Sequence, residues 1–241
     1  MHTGIALALS CLIVLDSGIA NTNQTLDVKP DNILVNYGSG SCRFRKAELG
    51  DCGDTCLANP KDHLKLGETG HLIGAHMFRS SEAMLSLRWG SPTDIWSFGT
   101  TVVDLILHYF SLMAHLVSLT LLQLISLIWG LGRHIFKPDP KDAEPDDDAY
   151  PNHVLVKQIA YFGSVPLSYF NIPPEDDERW EYIGDATQYI IDNQKRNHFA
   201  MAEDKKLSEE DRTFIYKIMK LNPRDRPTAK ELLQDPWLED V

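Results

Sequence analysis

The stretch Leu26-Asp27-Val28-Lys29-Pro30-Asp31-Asn32-Ile33-Leu34 decides how this chain is read. It sets an acid, a lysine two residues on and an amide five residues on in one compact polar loop. An apolar run follows, and Asn32 to Tyr37 reads as a short strand. A loop of this kind can hold a carboxylate against a hydroxyl nucleophile, a cation near a phosphate and an amide oxygen on a metal. Phosphoryl transfer needs those parts, because its catalysis is positioning plus charge neutralisation. A lone Asp, Lys or Asn in a loop is more often a solvated turn residue, so the loop gains weight only from its neighbours.

Those neighbours come in order. Asp51-Cys52-Gly53 follows the strand, and Phe78-Arg79-Ser80-Ser81-Glu82-Ala83 comes next. Asp94-Ile95-Trp96-Ser97-Phe98-Gly99 opens a helix-like stretch. Asn222-Pro223-Arg224-Asp225-Arg226-Pro227-Thr228 and Asp235-Pro236-Trp237-Leu238 lie near the end. The first loop resembles the D-x-K-P-x-N catalytic loop of eukaryotic serine/threonine protein kinases. The others resemble that family's D-F-G, A-P-E, D-x-W-S-x-G and late arginine motifs, in the family's order. The loop and the acidic insert described below look closest to fungal kinases related to those that phosphorylate serine/arginine-rich proteins.

The resemblance implies a mainly α fold, the large C-terminal lobe of a protein kinase with a few short strands. It implies ATP and Mg²⁺ as cofactors and a protein substrate, with an Arg/Ser-rich one as the specific expectation. Carried over by position, Asp27 would accept the substrate hydroxyl proton and Lys29 would neutralise the γ-phosphate. Asn32 and Asp51 would hold the metal ions that bridge the phosphates. Glu82 and Arg226 would form a buried ion pair, and Asp94 would hydrogen-bond the catalytic loop from below.

Several features depart from the family pattern. Thr25 and Leu26 stand at the His and Arg positions of H-R-D, and Ser81 replaces the proline of A-P-E. The family's smaller lobe carries a G-x-G-x-x-G loop and a strand lysine paired with a helix glutamate. Too few residues precede Asp27 to hold such a lobe, so residues 1–241 read as a kinase domain truncated at its N-terminus. The alternative is a non-catalytic remnant or interaction module that keeps the fold.

Composition sets the outer limits. Of 241 residues 43% are hydrophobic and 24% charged, which excludes a fully disordered chain. With 34 acidic against 23 basic residues the formal charge is -11, which argues against a nonspecific nucleic-acid partner. Cys11, Cys42, Cys52 and Cys56 lack paired C-x-x-C spacing, so neither a zinc site nor a disulfide framework is expected. The expected location is intracellular, in cytoplasm or nucleus.

Two apolar stretches interrupt the pattern. Ile5 to Leu15 outlines a secretory core without a basic start, and reads as a buried helix. Tyr109 to Leu131 has no formally charged side chain. At ~1.5 Å per residue it is long enough to cross a ~30 Å hydrocarbon core. Removing residues 102–123 would join Thr101 to Leu124 in what resembles an uninterrupted central helix of the family. We therefore read 102–123 as an insertion, with a membrane anchor through 109–131 as the alternative.

Residues 138–151 form an acidic, proline-punctuated segment expected to be a solvated loop. A docking surface for Arg-rich substrates is its sharper reading. Beyond Asn152 the chain reads as short amphipathic helices. Ser208-x-x-Asp211 and Thr228-x-x-Glu231 each have the capping-box arrangement that opens a helix. The five tryptophans are expected to anchor core and interfaces.

Overall fold

The computed structural model describes residues 12–13, 16, 24–25, 28–37, 44–51, 56–57, 72–87, 89–102, 134–166, 178–199 and 208–238. Expectations for Asp27, Cys52, Gly53, Trp129 and the apolar run 109–131 lie outside them, as does nearly all of 102–123. The described chain is mainly helical, with two small antiparallel sheets. Strand β1 (Gln24–Thr25) pairs with β4 (Cys56–Leu57), and β2 (Ile33–Tyr37) with β3 (Phe44–Leu49). The β2–β3 register sets Ile33 opposite Leu49, with an irregularity at Asn36/Tyr37.

The helices are α1 (Ser81–Met84), α2 (residues 92–102), α3 (Tyr150–Phe162), α4 (Glu178–Asp192), α5 (Glu209–Ile218) and α6 (Ala229–Leu232). Both expected capping boxes are present. Ser208 Oγ accepts from the N–H of Asp211, and the Asp211 carboxylate accepts from the N–H of Ser208. Thr228 and Glu231 make the same reciprocal pair at α6. Each box satisfies backbone donors that the first helical turn leaves unpaired. Asp211 also accepts from Trp237 Nε1 at 2.9 Å, while the Trp237 ring stacks on Phe214 at 4.1 Å. One carboxylate thus starts α5 and anchors the turn at Pro236–Leu238.

The core centres on α2. Trp96 and Phe98 are fully buried, and the Trp96 ring stacks on Phe136 at 5.7 Å. Phe162, at the end of α3, meets both rings edge-on and stacks on Phe199. These aromatics tie α2, the segment after residue 134 and α3 into one apolar body. Close approach at Gly99 brings α2 against the end of α5. A Cβ there would stand 2.5 Å from Met219 Sδ and 2.6 Å from Ile218 Cγ2.

Two sequence-based boundaries shift. Asn32, expected to begin the strand, instead ends a 3-10 turn over Pro30–Asn32. The acidic segment ends earlier than expected, since α3 begins at Tyr150 with Pro151 in its first turn, where proline fits without losing a hydrogen bond. Residues 144–149 are exposed as expected, but Ala143 is buried. Among the described residues, no helix is long and apolar enough to cross a membrane.

Candidate functional site

The loop at residues 28–34 is fixed by alternating burial. Val28, Pro30, Asn32 and Ile33 are buried, Lys29 is half-buried, and Asp31 and Leu34 face solvent. Lys29 is extended, the conformation a following proline imposes. Pro30 then starts the 3-10 turn, closed by the N–H of Asn32 donating to the Lys29 carbonyl at 3.0 Å. Lys29 and Asn32 therefore belong to one rigid turn.

The hairpin brings Asp51 to the same end. Because Ile33 pairs with Leu49, the residues just outside this pair meet as well. The N–H of Gly50 donates to the Asn32 carbonyl at 2.7 Å. Asp51 follows with φ 50, a left-handed conformation that aspartate tolerates better than most residues. It is solvent-exposed. The backbone of the Lys29–Asn32 turn and of Gly50–Asp51 is thus joined, with Asn32 buried and Asp51 exposed, whereas Asp27 lies outside the described residues.

One residue here went unnoticed in the sequence. Leu34 is 60% exposed, and its side chain lies over Gly50, where a Cβ would stand 3.1 Å from Cδ1. Leu34 is thus an exposed apolar residue packed against the Gly50 backbone. Alternation along β2 could have pointed to it, since Ile33 faces inward.

The expected ion pair is formed. Arg226 Nη1 and Nη2 donate to Glu82 Oε1 and Oε2 at 2.6 and 2.7 Å, with both side chains fully buried. The remaining N–H groups of the guanidinium go to the carbonyls of Lys220, Pro92 and Leu221. All five donors are matched, as a buried arginine requires. The guanidinium also lies over the Trp96 ring at 5.1 Å. Ser81, standing where the motif has proline, donates its hydroxyl to the Leu221 carbonyl at 3.2 Å. Ser80 and Thr93 share a hydrogen bond of 2.6 Å, and Ser97 Oγ donates to the Phe78 carbonyl. Residues 78–84 are therefore stitched to α2 and to the turn before Pro223. Asp94 is buried at the start of α2, but the loop around Asp27 that it was expected to hold is outside the described residues.

His76 and Arg79 sit at the outer edge of this block. Burial, helped by the Arg79 charge, holds His76 below the ordinary histidine value. Arg79 donates to the carbonyls of Ile73 and Gly74, and Gln158 of α3 donates to the Arg79 carbonyl at 2.8 Å. Among the described residues no group of three or more His, Cys, Asp or Glu side chains could hold a metal ion by itself.

A serine/threonine protein kinase of Aspergillus fumigatus is 25% identical over 174 residues, 69% of this chain and 35% of that protein. The probable serine/threonine-protein kinase sky1 of Dictyostelium discoideum is 25% identical over 219 residues, 88% of this chain and 27% of that protein. The chain is a distant homologue of serine/threonine protein kinases. Dual specificity tyrosine-phosphorylation-regulated kinase 3 of Rattus norvegicus is 30% identical over 99 residues, 41% of this chain and 15% of that protein. No family model matches the chain. The chain spans about a third of the length of the Aspergillus relative and less of the other two. Its mainly helical architecture agrees with the large lobe expected from the motifs.

Proposed function

We propose that this chain carries a metal–nucleotide site of the protein-kinase type, acting inside the cell, and that its reaction is transfer of the ATP γ-phosphate to a hydroxyl of a protein substrate. The observation that carries the reading is the Gly50 N–H to Asn32 carbonyl bond, which joins the Lys29–Asn32 turn to Asp51. The donor set suits Mg²⁺, a hard cation that takes oxygen ligands and commonly uses one or two protein groups beside phosphate oxygens and water. Asn32 offers an amide oxygen and Asp51 a carboxylate. When bound, the metal neutralises phosphate charge.

The chain's own groups do the rest. Lys29 presents its ammonium to the transferring phosphate, and Asp27 accepts the substrate hydroxyl proton. Leu34 gives the base of the nucleotide an apolar surface. The Glu82–Arg226 pair keeps residues 78–84 docked so that a protein substrate meets a fixed surface. The exposed carboxylates of Glu144, Asp146, Asp147 and Asp148 favour an Arg/Ser-rich substrate by steering.

The test is transfer of labelled γ-phosphate from Mg-ATP to an Arg/Ser peptide. Asp27→Asn and Asp51→Asn should each lower it at least about 100-fold, in line with the loss of a positioned acid–base or charge-stabilising group. Undiminished transfer in both variants would refute the assignment. A second reading, nucleotide binding without turnover, is favoured by Thr25 and Leu26 at the His and Arg positions. It would show as Mg-ATP binding with no transfer by the unaltered chain.

A further inference from the structure

Besides the buried Ala143, the acidic segment is tied to the rest of the described chain by the side chain of one residue. Residues 139–149 make their own short turns, in which the N–H groups of Asp142 and Ala143 donate to the Asp139 carbonyl at 2.7 and 3.2 Å, and Asp147 to Glu144 at 3.0 Å. Among the described residues, the side-chain hydrogen bonds that leave this segment all run through Asp142. Its Oδ1 accepts from the Tyr189 hydroxyl at 2.7 Å, and its Oδ2 from Lys195 Nζ at 2.5 Å. Lys195 Nζ also donates to the Tyr189 oxygen at 2.8 Å and lies over that ring. The triangle is closed, since each member bonds both others. The partners are 47 and 53 residues from Asp142, so the contact is tertiary.

Local structure fixes where Lys195 stands. Helix α4 ends in a turn where the Lys195 N–H reaches back to the Ile190 carbonyl at 3.0 Å and the Gln194 N–H to Ile191 at 3.2 Å. Gln194 adopts φ 51, so this is the left-handed helix stop usually given to glycine. The stop folds Lys195 back over the helix end, towards Tyr189 and Asp142. His153 of α3 completes the setting by packing edge-on against the Tyr189 ring at 5.1 Å.

We propose that Asp142, Tyr189 and Lys195 form a latch that fixes the acidic segment to the end of α4, and that removing either charge of the Asp142–Lys195 pair releases that segment while the remaining fold stays closed. Burial pushes the Asp142 carboxyl up, but the bonds from Lys195 and Tyr189 and the charges of Lys195 and His153 outweigh it and hold it below the ordinary aspartate value. Burial pulls Lys195 down, but Asp142 and Tyr189 outweigh it and hold it above the ordinary lysine value. The latch is therefore shut across the physiological range, and it is opened by chemistry on Lys195 or Asp142. Beyond it, Ala143 is the buried apolar contact next to Asp142, and residues 144–149 are exposed. Once the latch opens, little else holds the segment, which is the condition for local opening. This inference does not depend on the phosphotransfer reading.

The test is residue-resolved amide hydrogen exchange on the 241-residue chain and its Asp142→Asn, Lys195→Met and Lys195→Arg variants. The amides of Asp142 and Ala143 should exchange about tenfold faster in Asp142→Asn and Lys195→Met, with Met219 and Leu232 unchanged, as local opening requires. Lys195→Arg, which keeps the charge, should retain the protection. Unchanged exchange at Asp142 and Ala143 overturns the latch. So does an equal acceleration at Met219 and Leu232, which would make the triangle a contributor to global stability only. Loss of protection in Lys195→Arg equal to that in Lys195→Met overturns the charge requirement.

Discussion

Arg226 and Glu82 lie 144 residues apart in sequence and meet in a fully buried, two-pronged ion pair. Removing one partner leaves a charge with no water to solvate it. Glu82→Gln should therefore lower unfolding free energy by about 3–5 kcal/mol, read by chemical denaturation. A loss below about 1 kcal/mol, the range of exposed pairs, would mean that water reaches the site. Gly99 illustrates a steric limit at the same scale. Gly99→Ala drives a methyl into Ile218 and Met219 and should cost about 1–3 kcal/mol, seen as a lower thermal midpoint. The ion pair was legible through motif order and not through spacing, because nothing local links positions 82 and 226. The tight approach at Gly99 was not legible, since a glycine in a helix looks the same whether it faces solvent or another helix.

Elements were legible where their signals are local. The capping boxes at Ser208 and Thr228 need only four consecutive residues each, and both formed. Ser208→Ala and Thr228→Ala should each cost about 1 kcal/mol, measured by denaturation. Their effects should add, because the two boxes share no hydrogen-bond partner. The stop after α4 gives the opposite sign. Gln194→Gly should stabilise the chain by about 1 kcal/mol, because it relieves a left-handed conformation of an ordinary residue. The acidic segment was legible as polar and exposed but not as latched, since Tyr189 and Lys195 are distant in sequence. Its pH response follows from the directions of the shifts. Asp142 is depressed in the fold, so its contribution is complete above the unfolded value of about 3.8 and is lost as pH falls through the lower folded value. The amide signal of Asp142 should report loss of this contact only as pH falls below about 3.8.

At the scale of the whole molecule, the mainly helical body was legible from amphipathic spacing and ordered motifs. Its edge was less so. The sequence places Lys29 and Asn32 three residues apart, but only the β2–β3 register brings the backbone before Asp51 against the Asn32 carbonyl. Leu34 stood unnoticed because an apolar residue in an apolar run reads as core, whereas here it faces outward. The most direct measurement is paramagnetic line broadening by Mn²⁺–ATP across the amide spectrum of the full chain, because it locates the metal whatever the affinity. The expected result is selective broadening of Lys29, Asn32, Leu34, Gly50 and Asp51, relieved by excess Mg²⁺–ATP and lost in Asp51→Asn. Sharp signals at those positions at millimolar Mn²⁺–ATP, or broadening centred elsewhere, would contradict a metal–nucleotide site at this edge.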